Sequence, residues 1–282
     1  MSDSLHPHDL PDGPTDAAEP PPPRFDRLDA AALVAAVESA RALELHRDPH
    51  RVIRWAHEVL GDGLMMTTSF QKSGMAILHM VRDIAPRLPV YFIDTGFHFA
   101  KSLEFAEQIR REWGINLILQ RPGLFGEAFH VRYGKLHERN PELCCQLNKV
   151  EPQRELLERY QGWIAGVRRD QSATRAAVDS LEVLEGAKLK VQPLAYWERS
   201  QVDAYLAEHR IPVHPLFAEG YTSIGCAPCT QPNTDLLNER AGRWIGKAKT
   251  ECGLHTFWKV VGKNGTEPGA DAERPREEGK GT

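Results

Sequence analysis

Apolar positions in the central part of the chain switch repeatedly between two spacings. Helical spacing covers 29–46, where Leu33, Val37, Leu43 and Leu45 recur, and then 51–60, 74–83, 101–113, 148–160 and 199–209. Between these lie short continuous apolar runs at 64–68, 90–93, 116–119 and 163–167, with 189–194 as a fifth, each of strand length. Gly61, Pro86 and Gly114 stand where helices are expected to stop. Strands that are apolar throughout, alternating with helices, predict an α/β fold: a parallel sheet with helices on both faces. Ligands of such sheets bind beyond the carboxyl ends of the strands. The turns at 69–74, 94–97 and 166–171 are therefore where the chemistry is expected.

The two ends break this pattern. Residues 1–24 are polar and carry Pro20 to Pro23, and residues 263–282 are rich in Gly, Glu and Lys with no aromatic side chain. Neither stretch has enough apolar surface to offset the entropy of ordering, so both are expected to be disordered tails around one domain at 25–262. The 35 Lys and Arg against 39 Asp and Glu give a net charge of -4, which gives no global footprint for nucleic acid. No run of about eighteen apolar residues predicts a membrane span. The N-terminal stretch has no apolar core of a secretory signal. A cytosolic setting with reduced thiols is the expectation.

The cysteines divide four and one. Cys144 and Cys145 are adjacent, and Cys226 and Cys229 form a Cys-Ala-Pro-Cys pair. Two close pairs are a ligand set for zinc or an iron–sulfur centre. Cys252 stands alone in Lys249-Thr250-Glu251-Cys252-Gly253-Leu254-His255 and is a candidate nucleophile. Arg240, Arg243, Lys247 and Lys249 lead up to it and favour its thiolate, while Glu251 opposes that trend. The turn Ser69-Phe70-Gln71-Lys72-Ser73-Gly74 offers hydroxyls and backbone N–H groups to an anion or nucleotide, without Walker spacing. Asp94-Thr95-Gly96 ends an apolar strand and suits either a nucleotide edge or a helix cap. Arg168 and Arg169 suit a phosphate or sulfate fork, or a salt bridge with Asp170.

These segments resemble the assimilatory adenylyl-sulfate reductases, which group with the phosphoadenylyl-sulfate reductases. The resemblance rests on Cys144-Cys145 with Lys149, on Gly166 to Thr174, on Ser223 to Thr230, on Arg240 to Trp244 and on Lys249 to His255, and spans about residues 48–258. It implies an adenine-nucleotide α-hydrolase-like fold with a C-terminal segment that bears the nucleophile. It implies that Cys252 attacks the sulfur of adenosine 5′-phosphosulfate, expels AMP and becomes an S-sulfocysteine, which thioredoxin or a similar thiol resolves to sulfite. Cys144, Cys145, Cys226 and Cys229 would ligate a [4Fe–4S] cluster. Lys149, Arg240, Arg243 and one of Arg168 or Arg169 would contact phosphosulfate oxygens, with His255 beside the nucleophile. Ser69, Phe70, Ser73, Thr95 and Gly96 would line the nucleotide pocket. A homo-oligomer is allowed.

Three rival readings remain at this point. A reductase of 3′-phosphoadenylyl sulfate shares most of the motifs, but two cysteine pairs go with the unphosphorylated substrate. An ATP-cleaving or thiolating enzyme of the same fold needs a Gly-Gly-rich pyrophosphate loop, which 69–74 lacks. A non-catalytic iron–sulfur or zinc redox sensor would leave Cys252 without a task.

Overall fold

A computed structural model of the chain describes residues 23–233, 235 and 238–261. The expected tails lie outside the described residues apart from Pro23 and Arg24. Six strands form one sheet: β1 (Leu64–Thr67), β2 (Val90–Ile93), β3 (Leu117–Gln120), β4 (Gly162–Ile164), β5 (Leu181–Leu184) and β6 (Lys188–Val191). Their order is β3-β2-β1-β4-β6-β5. The helices are α1 (Ala30–Ala42), α2 (Pro49–Leu60), α3 (Lys72–Ile84), α4 (Ala100–Trp113), α5 (Glu127–Tyr133), α6 (Leu136–Arg139), α7 (Pro141–Cys145), α8 (Glu151–Arg159) and α9 (Arg199–Glu208).

Strand residues alternate between two buried faces, as a pleat with period two requires. Met66, Phe92 and Ile164 pack with α1, α2, α3 and α9 side chains such as Leu33, Ile53, Ile77 and Leu206. Their neighbours Met65, Tyr91 and Trp163 face the other way, onto Leu156, Leu157 and Tyr160 of α8 and its end. Burial on both faces explains why these strands read as unbroken apolar runs.

Two expectations need correction. The sheet is not wholly parallel, because β5 pairs antiparallel with β6. A three-residue turn joins them, with Gly186 at φ 73° and Ala187 at φ 53° in the left-handed region that such a tight reversal needs. The helix expected at 148–160 also begins earlier, and it carries a defect. Helical backbone runs from Pro141 through α7, a π-helical turn at Gln146–Val150, and α8. Pro152 has no N–H to give to Asn148 and its ring crowds that carbonyl, so a widened turn precedes it. Within this turn Asn148 Nδ2 donates to the Cys144 carbonyl at 2.9 Å.

The chain runs from β1 outward to β3, then returns to β4 on the other side of β1. This reversal places a crevice between the carboxyl ends of β1 and β4, where ligands of open α/β sheets bind.

Candidate active site

Two cavities open from that crevice and share a wall. The larger is a cleft of about 170 Å³. Its floor is the turn 67–74 after β1, with Phe92 and Ile93 of β2 and Ala165 and Gly166 after β4. Ser223 to Gly225 and Arg240, Arg243, Cys252, Leu254 and His255 close the other side. The smaller cavity, of about 10 Å³, is lined by all four paired cysteines together with His137, Asn148 and Trp244. Lys149 and Arg243 border both.

The floor turn is held from both ends. Gln71 Oε1 accepts from the Ile224 N–H at 2.7 Å and Gln71 Nε2 donates to Ser69 Oγ at 2.9 Å. Lys72 pairs with Asp203 at 2.7 Å. Phe70 does not line the cleft: it sits under the turn with φ 55°, edge-on to Phe92 and Phe105 at 5.7 and 6.4 Å. A left-handed backbone at a bulky residue is costly and marks a place the surroundings over-determine.

The cations converge on Cys252. Burial pushes this thiol up, but Lys149, Arg240, the Leu254 N–H and Arg243 outweigh burial and bring it below its ordinary value. Burial works against the Lys149 charge, yet Cys226, Cys252 and Cys145 hold it protonated. Arg240 falls to about 10, through burial first and then the repulsion of Arg175. Its Nε is buried with no partner, a donor directed at something the protein does not supply. Arg243 lies 4.3 Å over the Trp244 ring, and a Cβ on Gly225 would collide with its guanidinium. Gly253 has φ 88° and its missing Cβ would meet Val150 at 3.0 Å, so the backbone after Cys252 passes close against the π-helical turn. His255 stacks on Trp163 at 5.9 Å, and burial with Lys190, Arg175 and Arg240 nearby keeps it neutral.

Not every residue singled out by sequence joins this group. Arg168 is buried and spent on Asp170 at 2.8 Å, Glu239 at 3.0 Å and Ser73 Oγ at 2.6 Å, the salt-bridge alternative. Arg169 donates to the Val178 carbonyl at 2.7 Å and lies 4.1 Å over Tyr196, away from the cleft. Neither Thr95 nor Gly96 borders the cleft: Thr95 Oγ1 lies 3.3 Å from Cys226 Sγ, and Gly96 packs against Phe125. Arg175, a residue the sequence reading passed over, borders the cleft. Glu251 does not oppose the thiolate freely, because Arg175 and Arg240 hold its carboxylate at 2.8 and 3.2 Å. His98 was also missed: it lines the cleft and donates or accepts through Nε2 at 3.0 Å from the Ile93 carbonyl. Burial, the first cause, drives it down to about 4. The neutral ring must then donate through Nε2, since a carbonyl only accepts.

All five cysteines are free thiols. Among the described residues no three His, Cys, Asp or Glu side chains are arranged for a single metal ion. Three buried polar groups without partners stand at the small cavity: Trp244 Nε1, Asn148 Oδ1 and His137 Nδ1. Among the described residues no helix is long and apolar enough to cross a membrane.

The open α/β sheet thus carries, at its switch point, a cationic cleft that holds one cysteine. Residues 63–232 match the phosphoadenosine phosphosulfate reductase domain. The adenosine 5′-phosphosulfate reductase of Streptomyces coelicolor is 39% identical over 78% of this chain and 90% of its own length. The enzyme of that name from Halalkalibacterium halodurans is 37% identical over 81% of this chain and 100% of its own. A crystal structure of phosphoadenylyl-sulfate reductase from Candida auris, in a phosphate complex, superposes with a TM-score of 0.63 at 27% identity, over 74% of this chain and 100% of that one. The chain belongs to the phosphoadenosine phosphosulfate reductase family.

Proposed function

We propose that this protein reduces adenosine 5′-phosphosulfate to sulfite and AMP, with Cys252 as the nucleophile. The observation that carries this reading is the convergence of Cys252 with Lys149, Arg240, Arg243 and His255 on one cleft at the strand ends. The Cys252 thiolate attacks the sulfate sulfur, an S–S bond forms, and the S–O bond to phosphate breaks with its electron pair going to AMP. A thiolate of a dithiol partner of the thioredoxin class then attacks Cys252 Sγ. Sulfite leaves with the electron pair of the S–S bond, and the partner's second thiol resolves the mixed disulfide, so the partner supplies both electrons.

A thiolate nearing a sulfonate meets like charge. Lys149, Arg240 and Arg243 offset that repulsion and stabilise charge moving onto the leaving phosphate. The unpartnered Arg240 Nε suits a phosphosulfate oxygen. Arg175, rather than Arg168 or Arg169, is the arginine of the β4 loop that borders the cleft. Ser69, Ser73 and the N-terminal turn of α3 suit the nucleotide, with Phe70 packed beneath that turn. The neutral His255 imidazole lines the same cleft and has an unpartnered buried Nδ1 free for one hydrogen bond there.

The donor set of the small cavity fits an iron–sulfur cluster. Its four thiols line one small cavity, none of them is in a disulfide, and Trp244 Nε1, on a residue of the same wall, is buried without a partner. Cys144, Cys145, Cys226 and Cys229 would hold a [4Fe–4S] cluster there. When bound there it would supply a fixed charge beside the backbone that carries Lys149 and Arg243. Five free thiols suit a reducing, cytosolic setting.

The direct test is to incubate the anaerobically prepared protein with adenosine 5′-phosphosulfate and no thiol, then map added mass by peptide. One sulfonate on the peptide with Cys252 is expected. The same incubation with the 3′-phosphorylated compound separates the two substrates. Sulfonate on any of the paired cysteines would overturn the assignment.

A further inference from the structure

The residue before the nucleophile is bonded from several directions. Arg175 Nε and Nη2 each lie 2.8 Å from a different Glu251 carboxylate oxygen, forming a fork. Thr174 Oγ1 donates to the same carboxylate at 3.0 Å, Ser172 Oγ at 3.4 Å and Arg240 Nη2 at 3.2 Å. Arg240 Nη2 also holds the Thr250 carbonyl at 3.1 Å. Arg175 is itself aligned by Gln171 Oε1 at 2.6 Å. The loop after β4 thus grips the segment one residue upstream of Cys252.

The ends of this segment are fixed elsewhere. The Trp244 N–H donates to the Cys229 carbonyl at 3.1 Å. Further on, Val260 bridges Leu184 on the sheet edge and the Val261 N–H donates to Val183 at 2.8 Å. Between them Gly246 and Gly253 have φ 76° and 88°, conformations that let the backbone turn sharply. Within the span Lys247 donates to the Glu138 carbonyl at 2.7 Å, Lys249 pairs with Glu142 and Lys190 donates to the His255 carbonyl at 3.2 Å, while the Glu251 fork is the tie that adjoins Cys252.

We propose that Glu251 is a positioning residue, a latch that docks the nucleophile over the cleft and must release before the reductant can reach it. This rests on the reading of Cys252 given above, because the two half-reactions of that chemistry make opposite demands. Attack on the nucleotide needs Cys252 inside a cleft of about 170 Å³. Resolution needs the same sulfur within bonding distance of a thiol carried on a protein, which a cleft of that size does not admit. Partly buried, charge-assisted bonds of the Arg175–Glu251 kind are strong enough to set the balance between docked and released states. The latch also occupies Arg175 and part of Arg240, so loosening it leaves more cationic charge for the substrate.

The test separates the half-reactions. Single-turnover sulfonation of Cys252 by adenosine 5′-phosphosulfate is followed by mass. Resolution is followed as sulfite released when isolated sulfonated protein meets thioredoxin. In Glu251→Gln, sulfonation is expected to slow about tenfold, the worth of one charge-assisted hydrogen bond, while resolution accelerates. Nucleotide affinity should hold or rise. Arg175→Lys keeps the charge but loses the fork, and is expected to shift both rates in the same opposed directions by less. A variant that slows both steps together, or neither, overturns the latch. Wild-type protein that takes no sulfonate on Cys252 overturns the underlying reading instead, so the two failures are distinguishable.

Discussion

Lys149 and Arg243 border both the four paired thiols and the solitary Cys252, and burial has opposite outcomes on the two sides of that wall. In the small cavity burial is the leading influence. It pushes Cys144 up to about 11 with help from Cys226 and Cys229, pushes Cys145 up to about 12, and raises Cys229. In the cleft burial acts on Cys252 in the same sense, yet the thiol ends below its ordinary value because cations and the Leu254 N–H surround it. Thiols that crowd one another share a limited supply of positive charge, while a solitary one collects it. Cys144, Cys145 and Cys229, whose burial favours the protonated form, are poor nucleophiles that lose their protons when a metal binds. A solitary thiolate is ready to attack at neutral pH.

Two substitutions break the comparison outright. Cys252→Ser should lower sulfite formation by about a thousandfold or more, since no other described group supplies the attacking thiolate. Iron content of anaerobically prepared protein should stay at wild-type level. Cys226→Ser should do the reverse at the metal: bound iron is lost while iodoacetamide still labels Cys252. A Cys252→Ser protein that still forms sulfite, or a Cys226→Ser protein with full iron, would dissolve the division of roles.

Lys149→Met tests the shared wall. The expected loss in kcat/KM is about a hundredfold, the scale of one preorganised charge at a reacting centre. The sign of the accompanying shift is fixed. The Cys252 thiol is lowered by Lys149, so removing that ammonium raises it, and the pH midpoint of iodoacetamide labelling moves upward. Labelling at neutral pH slows accordingly. An unmoved midpoint would mean that Arg240 and Arg243 suffice.

How much of this was legible follows from where physics leaves its mark in sequence. The five strand expectations match β1, β2, β3, β4 and β6 within a few residues because burial on both faces forces continuous apolar runs. The edge strand β5 was missed. Leu181-Glu182-Val183-Leu184 and its partner carry buried charges, Glu182 and Lys190, that dilute the apolar signal. Helices α5, α6 and α7 are short and lie over a small satellite core around Phe129, which periodicity over a longer window cannot resolve. The lone cysteine and the paired ones stood out because their chemistry is rare. Arg175 did not, because one arginine in a loop carries no periodicity; its spacing of four from Gln171, the residue that aligns it, was the available signal. Arg168 and Arg169 drew attention for their adjacency, but neither borders the cleft, because each finds its partners inside the protein.

That last contrast yields the smallest expected effect and the narrowest test of the cleft's boundary. Arg169 and Arg240 are both arginines of the motif segments, and both lie over an aromatic ring, at 4.1 Å on Tyr196 and 5.5 Å on Trp244. They differ in what their guanidinium edges meet. Arg169 is satisfied by the Val178 carbonyl and the Tyr196 hydroxyl, whereas Arg240 keeps a buried Nε without an acceptor. Lysine retains the charge at either place but lacks the planar fork. Arg240→Lys should therefore lower kcat/KM by about tenfold, the worth of one charge-assisted hydrogen bond. Arg169→Lys should change it by less than about threefold while lowering stability by about 1 kcal/mol through the lost stacking, read as a fall in Tm. Equal catalytic losses at the two positions would show that the reacting groups extend to Tyr196, outside the space that Cys252 faces.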